Sequence, residues 1–318
     1  MAQLRLGMIG TGKFAARHLG LLAETDPDVT VVAHLGRHAD NATAAAARFG
    51  GKAYADLDSF ISEGRPDAVI MTVPPAAHGA TELALAKARI PFLVEKPVGL
   101  DLTTIGTIAE AIDRAGMPVA IGFNWRAADF LPALREELLL HTPRMLMGRW
   151  HGGTPDTPWW RMEALSGGQF VEQAIHIVDL ARALVGDAEL LGATGSRAPL
   201  PDYADGDVSG AGAALVRFRT GAPGVFTATC LLPNMGGADL TLIADKAQIV
   251  VRQHGFTVEA DGETIEHKAE ESAYVRQNRA FFAAVRSGNA TGLFCTYADG
   301  LGTHALCLGI RDAIAAQA

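Results

Sequence analysis

Three stretches of the sequence combine residue types and spacings that can do chemistry. The first is Gly10-Thr11-Gly12-Lys13-Phe14-Ala15, a G-x-G-x-x-A run directly after an apolar segment. In such a run the first glycine allows a tight turn, and the second lets the backbone close on a pyrophosphate seated at a helix N-terminus. The small third residue lets the helix pack on the sheet. A purely structural turn is the competing reading. The second stretch is Glu95-Lys96-Pro97, which leaves a buried apolar strand. A lysine there can hydrogen-bond a substrate oxygen and stabilise developing alkoxide charge; a surface Lys–Glu pair is the alternative. The third is Glu172, His176 and Asp179, spaced i, i+4, i+7 and so predicted on one face of a helix whose alternate face carries Val171, Ile175 and Val178. A polar stripe on an apolar helix is costly to bury without partners. It suits acid–base work by His176, against a hydrogen-bonded structural histidine.

The elements that must position these residues change character along the chain. Up to about residue 123, apolar runs at 4–9, 30–35, 68–73, 92–95 and 119–123 alternate with Ala-rich helical stretches at 13–24, 40–49, 77–89 and 102–115. Continuous apolar strands alternating with helices predict an α/β Rossmann domain, a doubly wound parallel sheet that binds ligands at the C-terminal ends of its strands. Beyond it the sequence predicts a helix at 129–141, a strand at 144–151, a Gly-, Pro- and Trp-rich loop at 152–168 and one long helix at 170–185. Five or more strands over 189–267, joined by short turns, then predict a mostly antiparallel open sheet, closed by helices at 271–287 and 297–316. The expected domains are 1–122, dinucleotide-binding, and 123–318, an α+β substrate-binding and oligomerisation domain, with the last helix able to pack back on the first.

The second strand ends Ala33-His34-Leu35-Gly36-Arg37-His38, without the acid that would accept hydrogen bonds from the ribose hydroxyls of NAD. Gly36 leaves room for a 2′-phosphate, Arg37 can pair with it bidentately, and His38 adds a donor, so NADP is expected over NAD. An Arg37 stacked on adenine or simply solvated fits either cofactor.

The glycine loop, Thr72-Val73-Pro74-Pro75 with His78, and Glu95-Lys96-Pro97 resemble the Gfo/Idh/MocA oxidoreductases. The resemblance runs on through Gly122-Phe123-Asn124 with Arg126, Trp160-Arg161 and Gly167-Gly168 to the segment of His176. It implies reversible hydride transfer between a nicotinamide and a secondary alcohol or ketone of a sugar, cyclitol or related polyol. A non-sugar substrate such as a dihydrodiol, a non-catalytic dinucleotide-binding regulator, and lyase or hydrolase chemistry with a recycled cofactor are the alternatives. It implies a general acid/base at His176 with Lys96 as its partner. An Asp is usual four residues before that histidine; here the residue is Glu172, which either orients His176 or binds substrate. The implied cofactor contacts are Gly10, Thr11, Gly12, Lys13 and Phe14 in the loop, Gly36, Arg37 and His38 after the second strand, Thr72, Pro74 and His78 after the next, then Glu95 and Lys96. The implied substrate contacts are Lys96, Asn124, Arg126, Trp160, Arg161, Glu172 and His176. Arg126 and Arg161 suit hydroxyl or carboxylate binding and structural ion pairing equally. Trp159 and Trp160 can stack on a sugar face or pack in a core. Asp179 is expected to stabilise the helix or a neighbouring backbone rather than touch substrate.

Composition sets the outer bounds. The 318 residues carry 27 Lys plus Arg against 35 Asp plus Glu, a net charge of −8, which argues against binding nucleic acid or an anionic membrane by bulk charge. No apolar run is long enough for a membrane helix, and the N-terminus reads as a strand rather than a signal peptide. Cys230, Cys295 and Cys307 lack metal-ligand spacing and are odd in number. No metal is expected, and a reducing cytoplasm is the expected compartment. Apolar strands around 224–232 and 240–244 suggest a subunit interface, and the resemblance implies a homodimer or homotetramer through the second sheet.

Overall fold

The computed structural model describes residues 3–196 and 198–317. Its first sheet is parallel, built from β1 (Leu4–Ile9), β2 (Val29–Leu35), β3 (Lys52–Tyr54), β4 (Ala68–Met71), β5 (Phe92–Val94) and β6 (Val119–Ile121). The spatial order is β3-β2-β1-β4-β5-β6. The chain winds outward from β1 in one direction, then returns to β4 and winds outward in the other. The reversal lies between β1 and β4, where such sheets hold their ligands. Each position of β4, β5 and β6 is buried, which is why these strands read as continuous apolar runs. β3 went unread because it is three residues long with only Tyr54 buried.

The second sheet has eight strands in the order β14-β13-β12-β11-β7-β10-β9-β8. They are β7 (Met145–His151), β8 (Ala188–Gly195), β9 (Ala211–Phe218), β10 (Pro223–Thr229), β11 (Gly237–Ala244), β12 (Ala247–Arg252), β13 (Gly255–Ala260) and β14 (Glu263–Lys268). All neighbours are antiparallel except β7 and β10. Leu146, Phe226, Leu240, Leu242, Ile249 and Val251 are buried on one face, against which helix Ile175–Val185 packs. On the other face Val250, Thr241, Met147, Val225 and Leu215 stand in register across five strands, with Met147 39% and Leu215 44% exposed.

Two compact units contain these sheets. The first takes residues through Gly99, Thr103–Asn124 and Ala273–Asp299; the second takes Leu100–Leu102, Trp125–Ser272 and Gly300 onward. This departs from the expected break at 122/123, because residues 273–299 return to the first unit. Phe281 and Phe282, on helix Ala273–Ser287, complete the core formed by Leu4, Leu6, Leu19 and Ile70. Helix Tyr297–Ala315 lies mainly in the second unit.

One expected element is corrected. The helix at 170–185 is two pieces, Gly168–Glu172 and Ile175–Val185. Between them the Ala174 N–H reaches five residues back to Gln169 O (2.8 Å), a π-type turn, and Ile177 N–H reaches only three back, to Ala174 O (2.9 Å). The i, i+4, i+7 stripe is therefore interrupted between Glu172 and His176. The apolar pattern is continuous across the break, so periodicity could not reveal it. No helix among the described residues is long and apolar enough to cross a membrane.

Candidate active site

In the first unit the candidate residues gather at the C-terminal ends of β1, β2, β4 and β5. Gly10 has φ +99, in the region that favours glycine, and an added Cβ would stand 2.5 Å from Thr72 Oγ1 and 2.7 Å from its carbonyl oxygen. The turn therefore presses the loop against the end of β4, and Thr72 N–H closes the contact on Ile9 O (2.8 Å). Thr11 packs on Gly36, where a Cβ would lie 2.8 Å from its methyl group. Gly12 caps helix Lys13–Thr25 with no side-chain hydrogen bond and no acid in the first turn, and the space beside it is open. An uncapped helix start with open space over its amides fits a pyrophosphate, because N–H groups and the helix dipole both favour an anion there. Lys13 and Phe14 are exposed beside it.

After β2, Arg37 and His38 are both exposed, and Arg37 Nε donates to His38 Nε2 (3.2 Å). The first acid beyond them is Asp40, in the first turn of helix Ala39–Phe49. After β4, Pro74 is exposed. His78 is not open to a dinucleotide: its side chain is 1% exposed, and its ring pairs through Nδ1 with the fully buried Glu82, which also accepts the Gly79 N–H (2.8 Å). That pairing locks the start of helix Ala80–Lys87. After β5, Glu95 is buried and Lys96 partly exposed. The Glu95 carboxylate accepts from His18 Nε2 (2.9 Å) rather than facing outward. Asn124 is buried just past β6.

In the second unit the geometry is built from side chains. Gly148 on β7 lets helix Ile175–Val185 sit close: a Cβ there would lie 2.6 Å from Ile177. This brings His176, 8% exposed, over Trp150, with ring centroids 5.8 Å apart and planes 23° apart. Asp179 is buried, and both its oxygens accept from Arg126 Nε and Nη2 (2.7 and 2.6 Å), with Thr303 Oγ1 donating at 2.8 Å. Burial pushes the Asp179 carboxyl up while Arg126 and Thr303 pull it down. Arg126 is thus an ion-pair partner that anchors this helix, the structural alternative of the two open for it.

Trp160 likewise takes its core alternative. It is 2% exposed among Leu200, Val208 and Cys230, and its indole N–H donates to Glu172 Oε2 (2.7 Å). Glu172 is therefore held from the Trp160 side, and the helix break separates it in register from His176. The Arg161 guanidinium lies 4.1 Å from the Tyr203 ring centroid, with Nη1 3.7 Å from Asp205.

Sequence reasoning passed over Trp150, His18 and Asn278. A signal existed for Trp150: it shares strand parity with Leu146 and Gly148, the face the histidine helix covers.

Comparisons with known proteins bear on the family and the fold. Residues 4–123 match the Gfo/Idh/MocA family, described as an oxidoreductase family with an NAD-binding Rossmann fold, and residues 137–250 match its C-terminal domain. The chain is 30% identical over 229 residues to myo-inositol 2-dehydrogenase of Thermotoga maritima, covering 70% of this chain and 67% of that protein. It is 28% identical over 208 residues to D-apiose dehydrogenase of Paraburkholderia graminis, covering 60% and 52%. Among solved structures, UDP-N-acetylglucosamine 3-dehydrogenase GnnA from Acidithiobacillus ferrooxidans shares the fold with a TM-score of 0.84 at 20% identity, covering 99% of both chains. KijD10, a 3-ketoreductase from Actinomadura kijaniata in complex with NADP, gives 0.85 at 20% identity, covering 98% of this chain and 97% of that one.

Proposed function

The chain belongs to the Gfo/Idh/MocA family of NAD(P)-binding oxidoreductases, and on that footing we propose that it interconverts a secondary alcohol and a ketone on a sugar, cyclitol or related polyol. The observation that carries the reading is the convergence, at one edge of the parallel sheet, of the open amide cradle at Gly12 and the partly exposed Lys96. The relatives named for inositol and apiose support the substrate class. The dinucleotide, when bound, supplies the hydride acceptor or donor.

In the oxidative direction His176 takes the hydroxyl proton, and Trp150 keeps its ring oriented. Lys96, at the end of β5, hydrogen-bonds a substrate oxygen and stabilises growing negative charge there. Glu172, tethered by Trp160, serves the substrate side. Gly12 amides and Lys13 take the pyrophosphate, and Arg37 with His38 take a 2′-phosphate, so NADP is preferred. The largely apolar row on the other face of the second sheet, with Met147 and Leu215 exposed and the Arg149–Asp239 and Arg217–Glu189 pairs beside it, forms a homodimer interface. The three buried free cysteines suit a reducing cytoplasm.

A dehydrogenase screen over sugars, cyclitols and sugar acids, with NADP and NAD in parallel, tests this reading. Turnover on at least one polyol with a lower Michaelis constant for NADP is expected; turnover confined to non-polyol alcohols overturns the substrate class. Light scattering checks the dimer.

A further inference from the structure

We infer that a buried carboxylate–imidazole–amide chain, Glu95–His18–Asn278, is a positioning device that ties Lys96 to the helix carrying the dinucleotide cradle; the inference rests on the catalytic role proposed for Lys96. His18 is fully buried on helix Lys13–Thr25, which begins at the cradle. Its Nε2 lies 2.9 Å from Glu95 Oε1 and its Nδ1 3.0 Å from Asn278 Oδ1. Glu95 immediately precedes Lys96, and its carboxylate fills the space beside Gly122, where a Cβ would come within 2.7 Å of Oε2. Tyr274 stands edge-on to His18, with ring centroids 5.6 Å apart. Burial and the Glu95 charge push its phenol up to about 12, with Arg17 opposing. Asn278 and Tyr274 arrive on helix Ala273–Ser287, the segment that returns from the far end of the chain.

Burying a carboxylate next to a working lysine is costly unless its partners are fixed. Here all the partners belong to other elements, so the Glu95 side chain holds the Glu95-Lys96 turn at a set distance from the cradle helix. A movement of that helix on binding a dinucleotide passes through one hydrogen bond to the residue beside Lys96. A displacement of about 1 Å at a reacting group can cost on the order of a hundredfold in rate, which gives such a tether its use.

The full-length protein with 15N-labelled histidine tests this by NMR, His18 being assigned with His18→Gln. Saturation with NADP is expected to shift the His18 ring nitrogens, and Glu95→Gln to abolish that shift. Ring signals that stay put while NADP binds overturn the relay alone. Failure of both NADP and NAD to bind removes the proposed function and the relay together. In kinetics, His18→Gln and Gly122→Ala should each lower kcat about tenfold or more. The Kd for NADP should stay within about threefold, and the double variant should be no slower than the worse single. Additive losses, or a kcat within twofold of the parent, overturn the relay.

Discussion

The two units meet the problem of holding reactive groups in opposite ways. In the first, backbone does most of the work. A glycine turn at Gly10, an uncapped helix start at Gly12 and strand ends at Thr72 and Glu95 create the binding features. In the second, the placement of His176 depends on side chains from segments far apart: Ile177 over Gly148, Trp150 beneath the imidazole, Arg126 and Thr303 on Asp179, Trp160 on Glu172. Backbone features leave short local motifs, whereas most of a side-chain scaffold becomes legible only once the chain is folded.

The largest effect that sharpens this contrast falls on His176. His176→Ala should lower kcat by ~10²–10⁴-fold, the usual worth of a general acid/base, while dinucleotide binding measured by fluorescence persists. Near-normal turnover would remove His176 from the chemistry. Next comes the scaffold beneath it. Arg126→Leu leaves Asp179 buried without its bidentate partner and should cost about 3–5 kcal/mol in denaturant unfolding. Adding Asp179→Asn should recover part of that loss; no recovery would show that the pair does not act as a unit.

In the backbone-dominated unit, a side chain at the rim should matter for selectivity alone. Arg37→Ala should raise the Michaelis constant for NADP by about 10–100-fold, the worth of one charge-assisted contact, and leave that for NAD nearly unchanged. Equal effects on both cofactors would assign Arg37 to adenine stacking. The smallest effect is expected at Trp150. Trp150→Leu removes a ring contact worth about 0.5–1.5 kcal/mol and should lower kcat about threefold to tenfold, with Trp150→Phe closer to the parent. Identical rates for the two variants would deny the ring a positioning role.

The same contrast explains what could be read in advance. β4, β5 and β6 are legible because each is buried on both faces, β1 and β2 because they are apolar runs bounded by turn residues, and the cradle because glycine is favoured at the turn at residue 10. The break at 173–174 was hidden because its two flanking helices present one unbroken apolar pattern. The roles of Arg126, Trp160 and His78 were undecidable until their partners Asp179, Glu172 and Glu82 came into reach. The His18 tether was invisible because Asn278 is 260 residues away in the chain.

The central claim, hydride transfer at a carbinol carbon, is tested most directly by isotope transfer. A polyol substrate from the screen, deuterated at the oxidised carbon, is turned over with NADP, and the nicotinamide product is weighed by mass spectrometry. One deuterium in each reduced nicotinamide, with a matching ketone, is the predicted result. Product formed with no net reduced nicotinamide, or deuterium released to water, would contradict the account and point to a lyase or hydrolase that recycles its cofactor.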